Sequence, residues 1–142
     1  MNSRPILIVE DNPDDQKLAL RAFKKCNLSN TIIFANDGVE AGEYLFGDES
    51  NKKKIVPAVV LLDLNMPRKN GLELLKDIRE NDSTRFLPVV VITTSKEEQD
   101  LINSYSLGVN SYVRKPVDFN EFLEAVKSLG LYWLLLNECP SS

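Results

Sequence analysis

Val59-Val60-Leu61-Leu62-Asp63-Leu64-Asn65-Met66-Pro67 is the stretch on which the reading of the whole chain turns. Apolar residues, two of them β-branched, run up to a single carboxylate. A polar turn follows, Arg68-Lys69-Asn70-Gly71, and then a helical pattern. A short, continuously apolar run bounded by turn signals predicts a strand buried on both faces, as in a parallel sheet. In such sheets ligands sit beyond the carboxyl ends of the strands, where Asp63 stands. A lone Asp in that place more often caps a turn. Its meaning therefore depends on how the other strands end.

Upstream, Pro5 to Val9 reads as a first strand and runs into Glu10-Asp11. Asn12-Pro13-Asp14-Asp15 supplies an N-cap, a proline at the first helical position and acids for the first turn. Leu18, Ala19, Ala22, Phe23 and Cys26 continue at helical spacing. Thr31 to Ala35 reads as a second strand. Asn36-Asp37-Gly38 reads as a turn, and a helix marked by Val39, Ala41, Leu45 and Phe46 ends at Gly47. The polar segment from Gly47 to Lys54, with Lys52-Lys53-Lys54, reads as a solvated loop.

Downstream, a helix over Gly71 to Glu80 carries Leu72, Leu75, Ile78 and Arg79 as its pattern. Leu87 to Ile92 reads as a fourth buried strand that ends in Thr93-Thr94-Ser95. Ser95-Lys96-Glu97-Glu98 has the form of a capping box and predicts a helix to Leu107, stopped by Gly108. Ser111 to Arg114 is a short fifth strand ending in Lys115-Pro116, and Asp118 caps a last helix. Five strands alternating with helical segments predict a flavodoxin-like, doubly wound α/β fold. Its parallel five-stranded sheet has the order 2-1-3-4-5 and carries helices on both faces.

The length of 142 residues fits one domain, expected over 1–142 with a core of about 4–128 and an apolar C-terminal extension over 129–142. The net charge of −4 argues against a nucleic-acid partner held through a basic surface. No apolar run approaches a bilayer span, so no membrane association is expected. The N-terminal residues lack a signal-peptide layout. Cys26 and Cys139 suggest neither a disulfide framework nor a zinc site, so a cytoplasmic setting is expected. The chain has no histidine. That excludes a Ser-His-Asp triad, a His-ligated metal and a phosphohistidine on this chain.

In the predicted strand order, Glu10, Asp11, Asp63, Thr93 and Lys115 meet at one edge of the sheet. Three carboxylates gathered there repel one another unless a cation sits among them. Oxygen donors without His or Cys select a hard ion such as Mg²⁺. A lysine and a hydroxyl beside them suit a dianionic phosphoryl group. Each residue alone has a plainer reading: a helix-dipole acid, a strand-end hydroxyl, a surface charge. Their agreement across four strand ends makes coincidence a poor explanation.

The acidic pair Glu10-Asp11, Asp63 in Asp-Leu-Asn-Met-Pro, Thr93 after an apolar strand and Lys115-Pro116 together resemble the receiver domain of two-component response regulators. The resemblance covers the chain from about Pro5 to the last helix. It implies that Asp63 accepts a phosphoryl group from a partner sensor histidine kinase. It implies Mg²⁺ on Asp11, Asp63 and the backbone carbonyl of Asn65, with Glu10 acting through a metal-bound water. Lys115 would contact the phosphoryl group, its bond to Pro116 being cis. Thr93 would be the switch hydroxyl and Tyr112 the switch aromatic, while Asn65 and Ser95 tune water access. Such a protein assists its own phosphorylation and dephosphorylation but is not otherwise an enzyme. The long loop before the third strand, the Asp-Asn-Pro-Asp-Asp opening and the Trp-containing tail resemble the stand-alone regulators that partner phytochromes.

Two other readings fit parts of the pattern. A phosphohydrolase with an aspartyl-phosphate intermediate needs a second acid two residues on, and Asn65 cannot serve as one. A pseudo-receiver, an interaction module that takes no phosphate, is disfavoured by the complete set of carboxylates and Lys115. The tail Leu129-Gly130-Leu131-Tyr132-Trp133-Leu134-Leu135-Leu136 is too apolar for a helix with one buried stripe. Such a patch either folds back over its own domain or, more often, marks an interface. A homodimer is expected through Tyr132, Trp133, Leu135 and Leu136, together with the fourth helix, fifth strand and fifth helix.

Overall fold

The computed structural model describes residues 4–25, 30–47, 54–65, 70–93, 96–104, 106–109, 111–115 and 118–129. Strands β1 (Ile6–Val9), β2 (Ile32–Ala35), β3 (Val59–Asp63), β4 (Val89–Thr93) and β5 (Ser111–Arg114) alternate with five helices. These are α1 (Pro13–Lys25), α2 (Gly38–Phe46), α3 (Gly71–Glu80), α4 (Lys96–Ser104) and α5 (Phe119–Leu129). The strands form one sheet in the order β2-β1-β3-β4-β5, every pairing parallel. This is the expected flavodoxin-like fold.

Every residue of β1, β3 and β4 is buried, because helices cover both faces. Strand alternation divides each run between two cores. Ile6, Ile8, Val59, Leu61, Val90 and Ile92 face α1 and α5, where Phe23 and Phe122 meet edge to face at 6.5 Å. Leu7, Val9, Val60, Leu62, Val89 and Val91 face the side of Leu45, Leu74, Leu75, Ile78 and Ile102. Parallel strands bring all five carboxyl ends to one edge.

The helix starts follow local chemistry. Asn12 Oδ1 accepts from the backbone amides of Asp14 and Asp15. Asp37, Asn70 and Asp118 accept in the same way from Glu40, Glu73 and Glu121. Gly71 is required by space rather than by dihedral angle. A Cβ there would lie 2.5 Å from the Leu64 Cα and 2.6 Å from the Asp63 carbonyl oxygen.

Three expectations need correction. The α3 stripe is Gly71, Leu74, Leu75 and Ile78, and Leu72 is only partly buried. Arg79 does not belong to that stripe. Its guanidinium donates to the carbonyls of Leu107 (2.6 Å), Gly108 (2.6 Å), Leu87 (2.8 Å) and Arg85 (3.3 Å). Burial lowers its pKa, and these carbonyls compensate the charge.

Helix α4 ends at Ser104 rather than Leu107. Ser106 adopts φ 53° and closes the helix, with its amide on the Asn103 carbonyl and the Leu107 amide on the Ile102 carbonyl. This is the left-handed C-terminal cap that glycine usually supplies. Gly108, also left-handed at φ 55°, comes after the helix has already ended. Thr93 is the last residue of β4, at the strand end where the sequence places it. Among the described residues, no helix is long and apolar enough to cross a membrane.

Candidate functional site

At the carboxyl edge, β1 delivers Glu10 and Asp11, β3 ends on Asp63, β4 ends on Thr93, and β5 leads into Lys115. Asp63 is fully buried. Its Oδ2 accepts from Lys115 Nζ at 2.6 Å, and its Oδ1 accepts from the Asn65 amide at 2.9 Å. Glu10 is 1% exposed. Its Oε2 accepts from the Asn12 amide at 3.0 Å, and the Gln16 side-chain amide holds its carbonyl at 2.7 Å. Glu10 Oε1 is buried without a hydrogen-bond partner among the described residues and lies 3.7 Å from Lys115 Nζ.

The electrostatics follow from crowding. Burial pushes the Glu10 carboxyl up to about 7; the Asn12 amide works against this and the nearby Asp63 charge works with it. Burial disfavours the charged form of Lys115. The hydrogen bond and charge of Asp63, with Glu10 and Asp15, outweigh that, and its pKa rises. The lysine is thus held as a cation among carboxylates.

One carboxylate oxygen from each of Glu10, Asp11 and Asp63 lies within 4.8 Å of the other two. The donors are all oxygens, and among the described residues one of them is buried without a hydrogen bond and a single lysine offsets the three carboxylates. That chemistry fits a hard divalent cation.

Thr93 is fully buried, and its hydroxyl donates to Glu98 Oε1 at 2.6 Å. The Lys115 amide donates to the Thr93 carbonyl at 2.9 Å, so the ends of β4 and β5 are tied together. Tyr112 packs partly buried against the core on the α3 side, and its hydroxyl donates to Asn103 Oδ1 of α4 at 3.0 Å. Burial, and then the charge of Asp100, raise its pKa. The structure therefore brings Glu10, Asp11, Asp63, Asn65, Thr93 and Lys115 to one edge, with Tyr112 on β5 three residues before Lys115. Ser95, Pro116 and the tail residues Tyr132, Trp133, Leu135 and Leu136 lie outside the described residues.

Two neighbours escaped the reading of the sequence. Asp15 was assigned to the α1 dipole, yet its Oδ2 lies 3.7 Å from Lys115 Nζ. The start of α1 stands over the same strand ends, and the order of strands already carried that signal. Glu98 was assigned to a capping box, yet its carboxylate takes the Thr93 hydroxyl. Only the approach of α4 to β4 could reveal that.

The response regulator receiver domain model matches residues 6–127. The response regulator Rcp1 of Synechocystis is 36% identical over 96% of this chain and 93% of its own. The Mn²⁺-bound structure of Rcp1 superposes with a TM-score of 0.78, covering 97% of this chain and 99% of that one. The bacteriophytochrome response regulator AtBRR is 51% identical, covers 97% of this chain and 100% of its own, and superposes with a TM-score of 0.76. The phosphorylated cyanobacterial phytochrome response regulator RcpA is 34% identical over 99% of this chain and 100% of its own, with a TM-score of 0.77. Sequence, topology and the grouping of charges at one sheet edge agree: this chain belongs to the response regulator receiver domain family.

Proposed function

We propose that the protein is a phosphoacceptor response regulator. It takes a phosphoryl group on Asp63 from a partner histidine kinase and signals through a change of surface. The observation that carries this reading is the Asp63 carboxylate itself. It is fully buried at the strand end, hydrogen-bonded by Lys115 at 2.6 Å and grouped with Glu10 and Asp11. A solitary turn-capping Asp needs none of these neighbours.

In the transfer, an Asp63 carboxylate oxygen forms a bond to phosphorus as the phosphohistidine P–N bond breaks. The imidazole leaves with the bonding pair. Lys115 neutralises charge on the group in flight, so catalysis is positioning plus electrostatics. Asp11, Asp63 and the Asn65 carbonyl would hold Mg²⁺, with Glu10 acting through a bound water. That ion would supply further charge neutralisation. Thr93 then turns its hydroxyl to the new phosphoryl oxygens, and Tyr112 leaves its exposed hydrogen bond to Asn103. The surface of α4, β5 and α5 changes with them. Asn65 and Ser95 tune water access during hydrolysis.

The similarity to AtBRR and RcpA supports a phytochrome-type kinase as the donor and a cytoplasmic setting. The apolar pattern over Tyr132, Trp133, Leu135 and Leu136 supports a homodimer built on the single domain. Acetyl phosphate with Mg²⁺ should add one phosphoryl group to the intact protein. Excess chelator should stop the reaction, as should Asp63→Asn. Undiminished labelling of Asp63→Asn would exclude Asp63 as the acceptor. Sedimentation of the wild type as a monomer at micromolar concentration, with and without a phosphoryl mimic, would exclude the dimer.

A further inference from the structure

The Thr93 hydroxyl carries one hydrogen, and in this structure Glu98 Oε1 receives it at 2.6 Å. Thr93 is fully buried at the end of β4, whereas Glu98 stands partly buried in the first turn of α4. An ionised carboxylate is a stronger acceptor than a neutral oxygen, and the short distance is that of a charge-assisted bond. A phosphoryl group on Asp63 would offer only acceptors. The same hydroxyl cannot donate along both directions, so a gain at Asp63 is a loss at Glu98.

We propose that Glu98 is a positioning residue that holds the Thr93 hydroxyl away from Asp63 and so sets the threshold for the phosphorylated state. This rests on the reading of Asp63 as phosphoacceptor and of Thr93 as the hydroxyl that answers it. Glu98 competes with the phosphoryl group for one hydrogen. When the hydroxyl leaves, a carboxylate in the first turn of α4 loses its buried donor. The site is thereby linked to the start of α4 through one side chain. A plain structural role would be different. Glu98 sits where acids favour a helix start, and that contribution does not depend on which way Thr93 points.

The test uses the full chain with Mg²⁺ and beryllofluoride, a phosphoryl mimic for aspartate, titrated calorimetrically. Glu98→Ala should bind beryllofluoride about tenfold more tightly than wild type, the scale of one charge-assisted hydrogen bond no longer opposing the switch. Glu98→Gln keeps an oxygen acceptor without the charge. It should gain only about threefold, and it carries the test if the alanine variant folds poorly. In a Thr93→Val background the gain should vanish. Wild-type binding with no gain in either Glu98 variant overturns the role of Glu98 and leaves the phosphoacceptor reading standing. A gain of equal size in the Thr93→Val background also overturns it, because that result assigns the effect to charge repulsion alone. Wild type that fails to bind, or that binds equally well as Asp63→Asn, overturns the phosphoacceptor reading and the Glu98 proposal with it.

Discussion

The two ends of the sheet treat buried charge in opposite ways. At the amino edge, the Arg79 guanidinium donates to four backbone carbonyls. Beside it, the buried Thr84 hydroxyl donates to the Ile78 carbonyl at 2.6 Å. The Ile78 carbonyl belongs to the end of α3, and the four that the Arg79 fork closes together belong to the loops before β4 and β5. At the carboxyl edge, Lys115 is shared among Asp63, Glu10 and Asp15, and Glu10 Oε1 has no hydrogen bond among the described residues. One end is satisfied and serves stability. The other is short of cations, and a bound ion and a transferred phosphoryl group would act on that deficit.

Removing Arg79 should break the satisfied end with the largest effect. Arg79→Ala leaves several carbonyls without their donor and should cost about 3 kcal/mol in urea unfolding. Acetyl phosphate labelling per folded molecule should stay near wild type, since the lesion is at the far edge. Loss of labelling in the folded variant would show that the two ends are not independent.

Gly71→Ala attacks the other end through its backbone. The added methyl would fall within 2.6 Å of the Asp63 carbonyl and 2.5 Å of the Leu64 Cα, both of them backbone atoms. The strain should cost about 2 kcal/mol and, unlike Arg79→Ala, should slow labelling of Asp63. Equal labelling rates in the two variants would remove the contrast.

The deficit itself can be read by pH. Glu10 titrates at about 7 in the fold against an ordinary value of 4.5. Between those values the folded protein keeps a proton that the unfolded chain has released. Stability from this group is therefore complete below about 4.5 and is lost as pH rises through about 7. Without divalent ions the wild type should lose stability across that window, by at most about 1.4 kcal/mol for each pH unit. Glu10→Gln should lose less, and Mg²⁺ should flatten the wild-type curve from the high-pH side. Parallel curves for wild type and Glu10→Gln would refute the crowding argument.

The smallest effect concerns the turn that Arg79 closes. Ser106 holds a left-handed backbone at φ 53°. Ser106→Gly should stabilise by about 0.5 kcal/mol, relief of that strain being partly offset by the freer unfolded chain. A destabilised Ser106→Gly would mean that the serine side chain contributes more than its backbone costs.

The sequence by itself determined the order of elements, the parallel sheet and the identity of the groups at its carboxyl edge. Burial on both faces leaves a plain signature: Val59 to Leu62 and Val89 to Ile92 are apolar without interruption, and polar residues begin where the strands end. The caps at Asn12 and Asp118 were equally legible, because a cap is a contact within one turn of chain; Asp37 and Asn70 read as turn residues, and the structure makes them caps as well. Tertiary structure alone decided the contacts that cross between elements. Leu74 rather than Leu72 faces the sheet because the rotation of α3 is set by the close approach at Gly71. Ser106 rather than Gly108 ends α4 because Leu107 must reach the core, where it is 7% exposed. Asp15 and Glu98 read as helix-start acids and Arg79 as part of the α3 pattern, because charge says nothing of which loop, lysine or hydroxyl the fold will bring against it. Periodicity and capping are local in the chain, whereas the pairing of a buried charge is fixed only when distant segments meet.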